Sequence, residues 1–382
     1  MTLPPPPGPY GAQPPGGGEP QWGGPPPQGP GAPPPFGQPG PWPPQQWGAP
    51  PPSNNGGKAK WILGGIAITL AIALAVVITV LVVRPAGGDR QQSDTANGAS
   101  EFASANDTGP ANIITEDPTC EAWGKVSDGL DAAVPEWNDQ DYSLPAENWT
   151  PDQRAVFERE GAALANAITD VTNLAKQTPH RVMRELYGQL DAYAQGVIDS
   201  IPTYSLTDNN IVATYNQFFS TLNRVCDAIY FRAAKQTAPL IPAPVPPGNV
   251  KASDQSAMSA LDRFISHNNG GCADWTTATE HFDKATEAWR GIDSKFSAEQ
   301  WTPEQSSVMA AVGPVMTTYA DDMERIGRQS GNAMWEDFAV MAAQYMRGYV
   351  QSIPTYKVNS GYLASVSTRL ANAIYWACKA AT

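Results

Sequence analysis

The side chains with the chemistry to fix a function here are four cysteines, three histidines and two matched sets of aromatics. Cys120 and Cys226 are separated by 106 residues, and so are Cys272 and Cys378. Equal intervals point to two disulfides, Cys120 with Cys226 and Cys272 with Cys378, which need an oxidising compartment. The alternative is four free buried thiols, since cysteine also packs as a small hydrophobe. His180, His267 and His281 share no metal-ligand spacing, and although His267 and His281 flank Cys272, a zinc site is the weaker reading. No nucleophile elbow, phosphate-binding loop, zinc-protease helix or dinucleotide fingerprint occurs. The expectation is therefore a protein that is not an enzyme, without metal or cofactor; an envelope enzyme ranks third among the functional readings.

The aromatics lead to a duplication. Shifting the chain by 152 residues, the step from Cys120 to Cys272, superposes Trp123 on Trp275, "ENWTPDQ" on "EQWTPEQ", Gly196 on Gly348, and "SIPTY" at Ser200 on "SIPTY" at Ser352. No gap is needed, so the chain holds two copies of one unit of domain size.

Each copy reads as four helices. The first starts at the cysteine, with Trp123, Val126, Leu130 and Val134 at helical spacing. The second opens with Thr150 or Thr302 as cap, proline at the first helical position, and Gln153 or Gln305 placed to reach back to the cap. Val182, Leu186, Leu190, Tyr193 and Val197 form the apolar stripe of the third, which Pro202 or Pro354 ends. Thr207 or Asn359 is expected to cap the fourth.

Short connections favour up-down-up-down bundles with the cysteines at one end. The Trp-Thr-Pro and SIPTY connections then meet at the opposite pole, bringing Trp149 to Tyr204 and Trp301 to Tyr356. Two readings stay open for that pole: an aromatic cleft that binds a ligand, or a packed plug in which the tyrosine hydroxyl satisfies a backbone group.

The rest of the chain supplies context. Residues 1–57 are crowded with proline and glycine, interspersed with Tyr10, Trp22, Phe36, Trp42 and Trp47, and read as a disordered tail of polyproline II character. The tail contacts a cytoplasmic protein partner or acts only as a spacer. Within residues 58–84, "WILGGIAITLAIALAVVITVLVV" carries no charge and is long enough for one membrane span. Residues 85–116 read as a flexible stalk, 117–235 as the first bundle, 236–251 as a semi-rigid proline-rich linker, and 252–382 as the second bundle, with a short amphipathic helix over Ala257–Ile265.

Lys58 and Lys60 balance Arg84 and Arg90 across the span, so the positive-inside rule leaves orientation undecided. The cysteines, all beyond the span, place the C-terminal part outside the cytoplasm and the N-terminus inside. Residues 1–83 hold Lys58, Lys60 and Glu19, so the rest carries −14 of the net −13. That acidity excludes nucleic acid as a natural partner.

At "AKQTPHRVMRELYGQLDAYAQGVIDSIPTY" the sequence resembles the extracytoplasmic region of mycobacterial and related actinobacterial proline-rich, single-pass membrane proteins. The resemblance implies a plasma-membrane location in the cell envelope and carries no assigned activity. The fold expected is all-α: a disordered tail, one transmembrane helix and two tandem four-helix bundles, each with one disulfide. The function expected is a membrane-anchored binding or sensor protein with a cell-wall or envelope ligand, the runner-up being a non-catalytic structural scaffold.

Overall fold

A computed structural model describes residues 101–247, 262–267 and 269–382. The expected tail (1–57), membrane span (58–84), the first half of the stalk (85–100) and residues 257–261 of the short helix lie outside the described residues. Among the described residues, no helix is long and apolar enough to cross a membrane.

The described chain is helical. In the first copy, α1 spans Cys120–Ala133, α2 Pro151–Gln177, α3 Arg181–Ser200 and α4 Asn209–Tyr230, followed by a short α5 at Ala233–Thr237. The second copy has α6 at Gly271–Ala285, a one-turn α7 at Glu287–Arg290, α8 at Pro303–Gln329, α9 at Ala333–Ser352 and α10 at Gly361–Ala380.

Local chemistry starts and stops these helices. Thr150 Oγ1 accepts from the Gln153 N–H at 3.2 Å while the Thr150 N–H donates to Gln153 Oε1 at 3.1 Å. Thr302 and Gln305 repeat the arrangement at 3.2 and 2.9 Å, satisfying donors that a helix start otherwise leaves open. After α3 and α9 the chain makes a 3₁₀ turn at Ile201–Thr203 and Ile353–Thr355, where proline removes the next helical N–H.

The fourth helices begin differently from the expectation. Thr207 and Asn359 lie inside 3₁₀ turns, Leu206–Asp208 and Val358–Ser360, and are not the caps. Asp208 and Ser360 precede α4 and α10 without a side-chain bond to the helix, and in copy 1 the Ser205 N–H and hydroxyl both donate to Asp208 Oδ2, at 2.8 and 2.7 Å, closing the 3₁₀ turn.

Within each copy the helices pack on their neighbours in sequence, and the most extensive pairing in the molecule joins the copies: α4 lies along α10. Both copies belong to one compact unit. The cause is visible in α10, where Tyr362, Leu363, Val366, Leu370, Ile374 and Trp376 are buried around most of the helix circumference. An apolar surface that wide cannot be covered by one bundle alone.

Two expected spacers are therefore docked where they are described. In the linker, Ala238–Leu240 forms a 3₁₀ turn against α9, Ile241 is buried, and the Val245 carbonyl accepts from Arg328 Nη2 at 2.8 Å. In the stalk, Phe102, Ala111, Ile113 and Ile114 are buried. Burial of such apolar side chains stabilises contact over extension. Residues 262–265, expected at the end of the short amphipathic helix, are not helical.

These lead-in segments cross over. Ile114, ahead of the first copy, donates its N–H to the Tyr345 hydroxyl of the second at 3.3 Å. Phe264, ahead of the second copy, donates its N–H to Gln189 Oε1 of the first at 2.9 Å. Gly196 and Gly348, retained in both copies, mark the crossings. A Cβ at Gly196 would lie 2.2 Å from Arg263 Nη2, and one at Gly348 would lie 2.9 Å from Ile113 Cδ1. Glycine permits this close approach.

Candidate binding poles and the ionic junction between the copies

Disulfides join Cys120 to Cys226 and Cys272 to Cys378, at the ends of the bundles away from the SIPTY turns. They tie the first helix of each copy to the fourth.

At the other end of copy 1, Trp149 and Tyr204 come together with ring centroids 5.2 Å apart. Phe157 stacks on Trp149 at 4.0 Å, and the Arg154 guanidinium lies 5.4 Å from the same ring. Trp149 Nε1 donates to the Leu144 carbonyl at 2.8 Å, and the Tyr204 hydroxyl donates to the Tyr142 carbonyl at 2.9 Å. Burial pushes the Tyr204 hydroxyl well above its usual range, so it stays a donor. This pole is filled, and its polar tips are spent on backbone.

Copy 2 repeats the frame with a more open face. Trp301 and Tyr356 stack at 5.4 Å, Trp301 Nε1 donates to the Phe296 carbonyl at 3.1 Å, and the Tyr356 hydroxyl donates to the Ser294 carbonyl at 3.0 Å. Burial raises the Tyr356 hydroxyl to about 12. The positions equivalent to Phe157 and Arg154 hold Met309 and Ser306, so neither the ring stack nor the guanidinium cover is present. Trp301 is half-buried where Trp149 is buried.

Exposed apolar side chains continue from Trp301. Phe296 is 42% and Val358 36% exposed. Lys357, next to Val358, pairs with Glu299 at 2.7 Å, joining the two loops. Asn359 Nδ2 donates to the Phe231 carbonyl at 3.0 Å, and Phe231 stacks on Tyr362 at 5.1 Å beside the exposed Tyr230. Phe231 and Tyr230 come from the end of α4 in copy 1, so both copies build this face.

A second cluster lies between the copies and was not legible in the repeat pattern. Arg181 on α3 donates through Nε and Nη2 to Asp337 on α9, at 2.7 and 2.8 Å, and through Nη1 to the Asp107 carbonyl at 2.8 Å. Beside them, Arg184 is buried against the Phe102 ring, its centroid 5.6 Å away, and burial lowers its pKa. Burial, and then Asp337, push the Glu185 carboxyl well above its usual range. The offset explains the crowding: Glu185 is the counterpart of Asp337, but the counterpart of Arg181 is Ala333. One of two twofold-related ion pairs is missing, and its acid remains.

Copy 1 also buries acids inside its own bundle. Burial and then the nearby Asp131 push Glu160 up to about 8. Burial raises Asp191 to about 7, partly offset by the Thr172 hydroxyl, which donates to it at 2.8 Å. Copy 2 has Val312 and Ala343 at these positions. The histidines are dispersed: His180 Nε2 lies 2.8 Å from the Glu116 carbonyl, His267 Nδ1 lies 2.9 Å from Ser266 Oγ, and His281 lines a groove with Phe282 and Tyr319. Among the described residues, no three His, Cys, Asp or Glu side chains come together as a metal site.

Comparison with known proteins bears on the helical part. The family of mycobacterial ESX-1 associated proteins matches residues 102–382. An uncharacterised protein of Mycolicibacterium smegmatis (strain MKD8) is 35% identical over 333 residues, covering 85% of this chain and 87% of its own length. No solved structure matches the chain. From Phe102 to its last residue, the chain belongs to the mycobacterial ESX-1 associated protein family.

Proposed function

We propose that this protein is a membrane-anchored binding module whose helical part works outside the cytoplasm, in the ESX-1 context that its family's name gives. The contrast between the two poles carries this reading. The same Trp-Thr-Pro and SIPTY frame is sealed by Phe157 and Arg154 in copy 1 and left open over Trp301 in copy 2. Folding needs the frame in both copies; a tryptophan ring buried in one and only half-covered in the other, beside the exposed Phe296, supports contact with something else at copy 2. The paired cystines support an oxidising compartment. The apolar run at 61–83 supplies the anchor, and the proline-rich tail at 1–57 contacts a cytoplasmic partner.

Photo-crosslinking in mycobacterial cells tests the binding surface. A photoreactive side chain at Val358 is expected to form adducts that one at Leu206, on the sealed pole, does not. Equal silence at both positions overturns the binding role, and a cytoplasmic signal from a C-terminal topology reporter overturns the placement.

A further inference from the structure

We propose that the open pole of copy 2 rests on the lipid surface that carries the chain's own anchor; this deepens, and rests on, the membrane-anchored reading above. The first argument is where the chain enters the fold. Glu101 pairs with Lys176 near the C-terminal end of α2, the cystine end of copy 1. Because α4 and α10 run antiparallel, with Asn210 bonded to the Lys379 carbonyl at one end and Asn359 to the Phe231 carbonyl at the other, that end is also the SIPTY pole of copy 2. Seventeen residues lie between Val83 and Glu101, a reach of at most ~60 Å. The sealed pole lies at the far end of α4, ~33 Å further away at 1.5 Å per residue. The chain that leads back to the apolar run therefore leaves the described fold at the open pole's end and not at the sealed one's.

The second argument is the chemistry of the face. Trp301 and Tyr230 combine an apolar ring with a polar tip, and Phe231, Phe296 and Val358 add wholly apolar surface beside them, a mixture suited to the boundary between headgroups and acyl chains. Exposed charges beside them balance: Arg232, Lys295 and Lys357 against Asp293, Glu299 and Glu304. On a chain of net charge −13, this is a face without the repulsion that an acidic surface meets at anionic headgroups.

The test uses the full chain reconstituted in phosphatidylethanolamine and phosphatidylglycerol vesicles free of other protein. An environment-sensitive dye is placed on Val358→Cys, on Phe296→Cys as an independent probe, and on Leu206→Cys as the control. Several-fold stronger quenching by spin-labelled lipid at 358 and 296 than at 206, with protection from aqueous iodide, is the expected result. Iodide access equal to that of position 206 at both probes overturns the proposal. Alkaline extraction separates the failures: a chain that stays with the vesicles while both probes remain aqueous loses only the docking, whereas a chain released from them loses the anchor as well. Protein adducts at 358 in cells, combined with aqueous probes in vesicles, make the occupant a protein and also overturn lipid docking.

Discussion

Arg181 and Asp337 are 156 residues apart in sequence and form a two-bonded ion pair, at 2.7 and 2.8 Å, across the junction of the duplicated copies. Both side chains are only 6% exposed, and the same guanidinium also binds the Asp107 carbonyl, so one residue ties α3, α9 and the lead-in segment. Removing Asp337 leaves the buried Arg181 guanidinium with only the Asp107 carbonyl and the Glu185 carboxyl 3.9 Å away, and losing the close partner of a buried charge costs more than the pair itself contributes. Asp337→Ala is expected to destabilise the protein by about 3–5 kcal/mol in urea titration, and the double change Arg181→Met with Asp337→Leu by clearly less. Equal losses would mean that packing, not charge, decides this site.

Glu160 gives the protein a pH dependence with a definite sign. Its folded-state pKa, about 8, lies above the ordinary value of 4.5, so the native state holds a proton that the unfolded chain has released. The stabilisation is complete below the ordinary value and is lost as pH rises through about 8. Asp191, raised from 3.8 to about 7, acts in the same direction. Melting temperature is expected to fall between pH 5 and pH 8.5, more steeply in the native protein than in Glu160→Gln. Parallel pH profiles would exclude Glu160 as the source.

The crossings at Gly196 and Gly348 differ in what stands in the way. A methyl at Gly348 meets Ile113 Cδ1 at 2.9 Å and Thr237 Cγ2 at 3.1 Å, both in packed surroundings, whereas one at Gly196 chiefly meets the far end of the Arg263 side chain. Gly348→Ala should cost about 1–3 kcal/mol, the range for overpacking, and Gly196→Ala less. Adding Ile113→Val to Gly348→Ala should recover part of the loss in chemical denaturation.

The two poles should respond unequally to truncation. Trp149→Ala removes a buried ring from between Phe157 and Tyr204 and is expected to cost about 3–5 kcal/mol. Trp301 is half-buried, so Trp301→Ala should cost less in the same calorimetric comparison. Equal costs would remove the distinction between a sealed and an open pole.

Each cystine closes a loop of 106 residues. In the chain-entropy picture, that closure is worth up to about 4.7 kcal/mol. Replacing either pair by serine should lower the melting temperature, and replacing both should lower it further. No loss from either replacement would show that the junction between the copies holds each bundle closed without its cystine.

Much of this was written in local signals. Matched cysteine spacing, Thr-Pro-x-Gln helix starts and SIPTY stops are short-range features whose chemistry acts within a few residues, so the helices and the meeting of Trp149 with Tyr204 were legible along the chain. The junction was not. Whether the second apolar side of α4 and α10 turns toward solvent, a membrane or another helix depends on surfaces more than a hundred residues apart. The same holds for Arg181, which reads as an ordinary charged helix start until Asp337 is brought to it. The repeat also hid the difference that matters at the poles, because Trp149 and Trp301 sit in nearly identical sequence. Phe157 and Arg154 against Met309 and Ser306 decide which ring is covered. That decision belongs to packing, since cover is a property of neighbours in space and not of neighbours in sequence.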